Sequence, residues 1–501
     1  MTQLDEVPDV PQLQNYAITP QEEQRSKKQL LLLCGSVSII FTGVWLGIFF
    51  DQLYLRTMLE EVYQKQGSSD PSSFANTTYS LVRNVYWLIW LVVSFVAGTY
   101  SDHFRSRFGN RSPLVVVGGL ITGLSYLFGP FLVLGLGPLV GAMLIYLVIG
   151  SALGLIWGGI YGLISDVFTL TERAWAGISI TVFSSVGSFL GFTLRFFPTG
   201  DSAMVFVGVF ILGITVFSFY HLPRHNPTKP PETTFLTDLK NTPKYLLTMR
   251  GSDVSKLSFF VLMIVQMCWG ATTTILVDYL GLFLLLTEES TSSGLDGELG
   301  FIFYSLSFVL VALPVGWLVG HLGKRDTAVV GALVMTTTLL ILTNQASWSA
   351  LSLLILLALL AFSSMIINAL RVAMPADLVP EGREGQFMGL SIVTYSFLAP
   401  LMGVFVSLIF THNVNQIDAF VEIFTLIIVA QLISLLLLQL VNYEKQIEEQ
   451  YIWSYRGVVK TLTQFSETFG VRITRLKRTK LYQKLKERWG EKGFPQEVAS
   501  L

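Results

Sequence analysis

Charged residues and cysteines are both scarce in this sequence. Asp, Glu, Lys and Arg make up only 13% of its 501 residues, and hydrophobic residues make up 52%, whereas about 25% of a soluble globular protein is charged. The two cysteines give no sign of a disulfide framework or a metal site. No phosphate-binding loop occurs and the five histidines are scattered. We therefore expect no enzyme, no cofactor and no bound metal.

Long apolar runs, in contrast, occur along almost the whole chain. A helix needs about 20 apolar residues to cross a bilayer, and twelve runs approach or exceed that length. Helices satisfy their backbone hydrogen bonds within each segment, as a bilayer demands. The sequence therefore predicts an all-α membrane protein with twelve transmembrane helices. The predicted spans are 29–50, 79–100, 113–135, 139–162, 175–197, 203–222, 257–286, 298–320, 327–343, 348–371, 386–410 and 417–441.

A polar segment rich in Pro, Thr and charge separates six spans from six. The two groups resemble each other weakly, since Asp166 follows span four as Asp377 follows span ten. The sequence thus predicts two six-helix pseudo-repeats. The predicted domains are a cytoplasmic N-terminal tail (1–28), an N-terminal half (29–222), a cytoplasmic middle loop (223–256), a C-terminal half (257–441) and a basic cytoplasmic C-terminal tail (442–501).

Basic residues fall mainly on one side of these spans. If the N-terminus is cytoplasmic, all but four of the 33 Lys and Arg residues lie on the cytoplasmic side; the four are Arg56, Lys65, Arg83 and Arg195. Cytoplasmic loops carry such an excess of positive charge. We therefore predict cytoplasmic termini in a multi-pass protein of a plasma membrane or bacterial inner membrane. We expect lipids as partners, no nucleic acid, and a monomer.

The stretch 97–119, AGTYSDHFRSRFGNRSPLVVVGG, places an acid and three arginines between two apolar spans. Gly98 and Asp102 form G-x-x-x-D, and Arg105, Arg107 and Arg111 follow as R-x-R-x-G-x-R. A positive cytoplasmic side explains the arginines without any special role, but it does not require an acid. The acid therefore indicates a function for this stretch.

A degraded copy of the same stretch follows span eight. Gly98 corresponds there to Gly316, and four residues later Asp102 corresponds to Gly320, so the second copy has lost its acid. A six-plus-six repeat of this kind suits a transporter whose halves rock about a site near the bilayer midplane.

The two six-span halves, the long middle loop and this motif resemble the major facilitator superfamily. Within it, SDHFRSRFGNRSP resembles the motif of the sucrose/proton symporters and of the related glycoside-pentoside-hexuronide symporters. The resemblance implies a secondary transporter working by alternating access, in which the acid and the arginines help to close the inner gate. The gating residues that it implies are Gly98, Asp102, Arg105, Arg107, Arg111, Asp166, Arg173, Asp377 and Arg383.

Three positions bear on substrate and coupling within this resemblance. Ser94 stands where the sodium-coupled relatives carry an Asp, so no sodium site is implied. Tyr161 stands where the sucrose symporters carry an Arg five residues before the Asp that ends span four. Arg371, six residues before Asp377, is similar in spacing to that pair, although it could also reach toward the cytoplasmic surface.

Polar side chains inside the spans are the candidates for substrate or proton binding, because they are costly in a bilayer. Span seven is the most polar, and Thr274 and Asp278 share one face of it. Asp278 is the preferred coupling carboxylate, although it could equally be a solvated interfacial residue. Aromatic rings of span four could stack on a sugar or simply pack. The candidate set is Asp278, Gln266, Trp269, Thr274, Trp157, Tyr161 and Asn368.

Three functions are compatible with these features. The first is a proton-coupled symporter of a small molecule, a sugar or glycoside. The second is an exporter of apolar metabolites or drugs on the same fold. The third is a membrane sensor or scaffold that transports nothing.

Overall fold

The protein is almost entirely helical in the computed structural model, and its predicted tails lie mostly outside the part that the structure describes. Eleven helices among the described residues are long and apolar enough to cross a membrane. The described residues are 26–68, 70–191, 194, 197, 199–226, 233–248, 254–290, 297–344, 349–379, 383–412 and 416–441.

The first six predicted spans each correspond to helices, although the helix of span five ends at Gly191 and part of the predicted stretch up to residue 197 lies outside the described residues. Span one consists of α1 (Lys27–Ser38) and α2 (Ile40–Phe50). A π-helical turn, Asp51–Leu55, leads from it into the short helix α3 (Arg56–Lys65), so the connection to span two is itself largely helical. The helices of spans two to six are α4 (Pro71–His103), α5 (Ser112–Leu136), α6 (Pro138–Val167), α7 (Arg173–Gly191) and α8 (Gly200–His221).

The middle loop is more than a linker, because it contains the helix α9 (Phe235–Thr248), which packs against α4. The helices of the last six spans are α10 (Val254–Ser290), α11 (Gly297–Leu322), α12 (Lys324–Asn344), α13 (Ala350–Leu378), α14 (Glu384–His412) and α15 (Gln416–Leu438). The predicted span 386–410 coincides with α14, and the other predicted spans coincide with the eleven apolar helices.

Two large hydrophobic cores hold the helices together, one built mainly from residues before the middle loop and one mainly from residues after it. In the first, α6 packs along α4 and α5, and α2 packs along α7. Gly150, Gly154 and Gly158 lie on the face of α6 that meets α4, where an added Cβ would press on the α4 backbone. Small residues of this kind let membrane helices approach closely.

The two halves meet where α4 packs on α14 and where α7 packs on α11 and α13. The functional features lie along this interface or at its ends. We call the end that carries Asp102, Arg111, Lys324 and Asp377 the basic end. The end where α2 passes through Asp51 into α3 is the opposite end.

Candidate functional site

The motif between spans two and three folds into a buried ion-pair cluster at the basic end. Arg111, the residue before α5, is fully buried. Its Nε and Nη2 donate to the two carboxylate oxygens of Asp166 at 2.6 and 3.0 Å. Nη1 donates to Ser101 Oγ at 2.6 Å, and Nη2 also donates to Asp102 at 2.9 Å. One planar guanidinium thus joins the end of α4 to the end of α6.

Asp102 extends this cluster from the first half to the second. Its carboxylate accepts hydrogen bonds from the backbone N–H groups of Gly385 and Gln386, each at 2.8 Å. These are the free amides of the first turn of α14, and the positive end of that helix favours a carboxylate there. Gly98, one turn earlier on α4, lies against the Gly385 carbonyl with no room for a Cβ. The acid and glycine of the motif therefore fasten α4 to α14.

A second buried cluster surrounds Asp377 at the end of α13. Lys324 Nζ donates to one oxygen of Asp377 and also to the Leu170 carbonyl, the latter at 2.6 Å. Arg173 of α7 donates to the other oxygen at 3.3 Å and to the Ala376 carbonyl at 2.6 Å. Because Leu170 and Arg173 belong to the first half, this cluster also crosses the interface.

The middle-loop helix α9 adds a third connection at the basic end. His103 at the end of α4 contacts the Asp238 carboxylate at 3.2 Å, and Arg383 before α14 lies 3.5 Å from it. Gln386 donates to the Asp238 carbonyl at 3.1 Å and to Thr242 Oγ1 at 2.7 Å. The helix in the middle loop therefore contacts both halves beside the Asp102 cluster.

Two predicted gating residues differ from the members of these clusters in burial. Arg105 and Arg107 are exposed, and the Arg107 guanidinium lies 4.8 Å from the centre of the Phe108 ring. The sequence pattern assigned no role to Lys324, to Asp238 or to the backbone amides of α14. The degraded second copy of the motif ends in GHLGKR and so contains Lys324, but nothing in the sequence marks backbone amides as partners of Asp102.

Between the halves lies a cavity with about 750 Å³ of empty space, counting space open to solvent. It is walled by α2 and α7 from the first half and by α10, α11 and α13 from the second. Its walls are rich in hydroxyl and aromatic groups. The polar and aromatic lining residues are Trp45, Phe49, Thr181, Ser184, Ser185, Ser188, Thr273, Phe301, Tyr304, Ser305, Phe308, Ser364, Asn368 and Arg371.

Arg371 is the charged member of this lining among the residues that the structure describes. It is 8% exposed, and its guanidinium lies 4.1 Å from the Tyr395 ring centre and 5.5 Å from that of Trp157. Its Nε is buried without a hydrogen-bond partner, as is the Trp45 Nε1 in the same wall. No carboxylate of the described residues pairs with it. The side chain is buried between the halves instead of reaching the surface.

The predicted substrate residues are spread over the second half and span four. Asn368 lines the cavity. Trp157 and Tyr161 are buried on α6 with ring centres 5.2 Å apart, and Trp157 faces Arg371. Arg371 therefore connects the cavity wall to the Trp157 ring.

The candidates of span seven lie on α10. Gln266 is buried and donates to the Arg371 carbonyl at 2.7 Å, so it joins α10 to α13. Trp269 is fully buried in the core of the second half, and Thr274 is half-buried. Asp278 lies on α10, but its side chain is outside the described part. Within the described residues, His, Cys, Asp and Glu form no group that could hold a metal ion.

Comparison with solved structures assigns the architecture. Human organic anion transporter MFSD10 (TETRAN) matches over 83% of this chain and 100% of its own, with a TM-score of 0.65 and 18% identity. FucP, a Major Facilitator Superfamily transporter in its outward conformation, matches over 83% and 98%, with a TM-score of 0.59 and 12% identity. The chain has the major facilitator fold. It is an all-α membrane protein of that architecture.

A bacterial homologue of the iron transporter ferroportin, in its outward-facing state, shares the fold as well. It covers 82% of this chain and 98% of its own, with a TM-score of 0.59 and 14% identity. No family model and no curated protein sequence matches the chain. The narrower resemblance to sucrose and glycoside symporters therefore stays a prediction.

Proposed function

We propose that this protein is a secondary transporter that moves a small organic anion by alternating access. The observation that carries the proposal is Arg371, a buried guanidinium in the wall of the central cavity with no described carboxylate beside it. The transport mechanism is supported by the fold and by the ion-pair clusters that join the two halves at the basic end.

The energetic cost of burying the Arg371 charge indicates which class of substrate the cavity would bind. Burying an unpaired charge costs several kcal/mol unless a partner of opposite sign compensates it. The rings of Tyr395 and Trp157 stabilise the guanidinium in part. A carboxylate-bearing substrate would complete the compensation by accepting hydrogen bonds from Arg371. The aromatic rings of the same wall suit an organic anion better than a small inorganic one.

The basic end is closed in this structure. Asp102 and Arg173 belong to the first half, and each is hydrogen-bonded to residues of the second half. The central cavity lies between these contacts and the opposite end. In the orientation that the basic residues predict, the closed end faces the cytoplasm. Opening the other way requires both clusters to part and the halves to rock about the cavity.

A proton-coupled sugar symporter is the second candidate. It is favoured by the hydroxyl groups and the Asn368 amide of the cavity wall, which could hydrogen-bond sugar hydroxyls. The E. coli fucose:proton symporter FucP shares the fold. An exporter of apolar metabolites and a sensor without transport are the remaining alternatives.

Uptake into proteoliposomes tests the proposal. Purified protein is reconstituted, and radiolabelled benzoate, indole acetate, fucose and sucrose are each measured as uptake and as exchange. We expect a carboxylate probe to be carried and Arg371→Gln to weaken its apparent affinity roughly tenfold to hundredfold, because one charge-assisted contact is worth about 1.5 to 3 kcal/mol. Arg224→Gln, which changes an exposed arginine outside the cavity lining, is the matched control.

Each outcome selects one function. Carriage of the sugars alone, with Arg371→Gln equally active, would replace the anion proposal by the symporter. Efflux of apolar dyes without anion uptake would favour the exporter. Saturable binding of a probe without flux or exchange would favour a sensor.

Orientation is tested separately by single-cysteine labelling after Cys34 and Cys268 are replaced. We expect a cysteine at Asn76 to react with an impermeant reagent from outside intact cells, and cysteines at Phe235 and Lys480 to be shielded. External labelling at Phe235 would reverse the orientation and make the closed basic end the outer one.

A further inference from the structure

A second pocket lies at the opposite end, wholly inside the first half. It contains about 350 Å³ of empty space, counting space open to solvent, and none of its lining residues lines the central cavity. Its polar lining comes from the end of span one, from α4 and from α6. The residues concerned are Asp51, Tyr79, Arg83, Tyr86, Trp87 and Tyr146.

Asp51 is held in this pocket by phenol hydroxyls. Tyr126 of α5 donates to both carboxylate oxygens, at 3.0 and 2.9 Å, and Tyr146 of α6 donates to one of them. Both tyrosines are buried. No ion pair joins Asp51 to a cation of the described residues. Its hydrogen bonds therefore fasten the end of span one to two neighbouring helices through neutral donors.

The other titratable groups that face this carboxylate come from α4. Tyr86 lies beside it, and Arg83 lines the same pocket while donating to the Tyr79 hydroxyl at 2.7 Å. With Tyr126 and Tyr146, these are the titratable and charged groups of the described residues that face Asp51. A carboxyl held by phenols can gain or lose a proton without breaking an ion pair, which distinguishes Asp51 from the carboxylates of the basic end.

The backbone at Asp51 is also unusual, because a π-helical turn begins there. Such turns are frequent at functional sites. The helix α2, which ends just before Asp51, carries Trp45 and Phe49 into the wall of the central cavity. A change in the bonds that Asp51 makes to α5 and α6 would therefore be transmitted along α2 to the substrate.

We infer that Asp51 is the proton-binding group that couples transport to a proton gradient. The inference rests on the proposed transport function and adds the coupling ion to it. Unprotonated Asp51 accepts from both phenols and holds α2 against α5 and α6. A proton taken from the opposite side neutralises the carboxyl, weakens both bonds and frees α2 to move with the cavity wall. The helix α2 separates the pocket from the central cavity, since Ile48 lines the one and Phe49 lines the other. Its displacement would give the proton a route into the cavity and, after the halves rock, to the other side.

Transport by Asp51→Asn tests the inference, with Asp201→Asn as a matched control. Asp201 is an acid in the first turn of α8, in the same half, and it lies outside the pocket lining. We expect an imposed pH gradient to drive benzoate accumulation by wild type and Asp201→Asn. In Asp51→Asn, accumulation should fall about tenfold or more, to the level without a gradient. Benzoate exchange at equal pH should remain within about twofold.

Tyr146→Phe provides a second, milder variant. It removes one donor that favours the charged carboxyl, so the pH of half-maximal uptake should move upward while transport persists. An unchanged pH profile in this variant, or pH-driven accumulation by Asp51→Asn, would overturn the assignment.

Infrared difference spectra of the purified protein after a pH jump make the test independent of any substrate. We expect a carboxyl band that disappears in Asp51→Asn and remains in Asp201→Asn. If no probe is transported but this band is present, the transport proposal fails and proton binding at Asp51 stands. If exchange is robust but the band persists in Asp51→Asn, the proton site fails and the transport proposal stands.

Discussion

Each half carries an equivalent ion pair at the basic end, but the contacts beside the two pairs differ. In each half, a cation at the start of the third span binds the aspartate that ends the fourth: Arg111 with Asp166, and Lys324 with Asp377. In the first half Asp102 then binds the α14 amides. In the second half the corresponding residue is Gly320, and the contact beside it is apolar.

At that apolar contact the Trp175 ring of α7 lies against Gly316 of α11. At the position related to Asp102 by the repeat, an aromatic ring therefore replaces the carboxylate, and Arg173 and Lys324 supply the hydrogen bonds across the interface on this side. Hydrogen bonds to a charged group are directional and break over a short distance. Ring packing is non-directional and allows sliding. The two sides therefore differ in the contact at this one position, although both carry charged hydrogen bonds between the halves.

The largest expected effect comes from removing the central cation of the first half. Arg111→Ala leaves two buried carboxylates, Asp102 and Asp166, without their shared partner. Breaking a buried ion pair from one side costs about 3 to 5 kcal/mol. We expect a marked loss of thermal stability in detergent, measured by scanning fluorimetry. Arg107→Ala is the control, and a loss of the same size there would contradict the comparison.

Asp102→Asn tests how far the charge of Asp102 keeps the basic end closed. The amide keeps the size of the side chain but removes the charge that the α14 amides and Arg111 favour, a loss of about 1.5 to 3 kcal/mol. We expect substrate affinity to change little and turnover to fall roughly tenfold or more. Spin labels at Arg107 and His321 should report a broader distance distribution at the basic end. Unchanged distances and turnover would reduce Asp102 to an ordinary loop residue.

A matched pair of glycine substitutions compares the two sides directly. A Cβ at Gly98 would collide with the backbone carbonyl of Gly385, whereas a Cβ at Gly316 would meet the ring of Trp175. Backbone atoms cannot yield without moving α14, but a side chain can rotate. We expect Gly98→Ala to disturb the closed state and to lower turnover several-fold more than Gly316→Ala does. Equal effects would show that both sides close with similar rigidity.

The smallest effect should follow the restoration of the lost acid. Gly320 is exposed, and no atom lies within 4 Å of the position where its Cβ would stand. Gly320→Asp therefore adds a carboxylate at an exposed position, and we expect turnover within about twofold of wild type. A large gain in closed-state population, measured with the same spin labels, would mean that amides of α7 can capture the new acid.

Much of the architecture could be predicted from the sequence. The length and number of apolar runs depend only on bilayer thickness and on the need for helices to satisfy their own backbone groups. For this reason the predicted spans coincide with the helices. The motif around Asp102 and the repeat of Asp166 in Asp377 also identified the aspartates that the structure brings into the two clusters at the basic end.

The partners of these residues depend on tertiary structure. In the sequence, Lys324, Arg111 and Arg107 are all basic residues on the same side of the predicted spans. Only packing decides that the first two are buried and that Arg107 is exposed. Backbone amides are present at every residue, so the capture of Asp102 by α14 leaves no mark in the sequence.

The same reason explains the two candidate binding sites. Asp51 and Arg371 each lie near the end of a predicted span, where snorkelling toward water is the simplest expectation from the sequence. Tyr126 and Tyr146 come from two other helices to meet Asp51, and Tyr395 and Trp157 come from opposite halves to meet Arg371. The sequence determined the helices and the ionisable residues that they carry. Helix packing decided which of those residues are buried and what they contact, because both depend on neighbours far away in the chain.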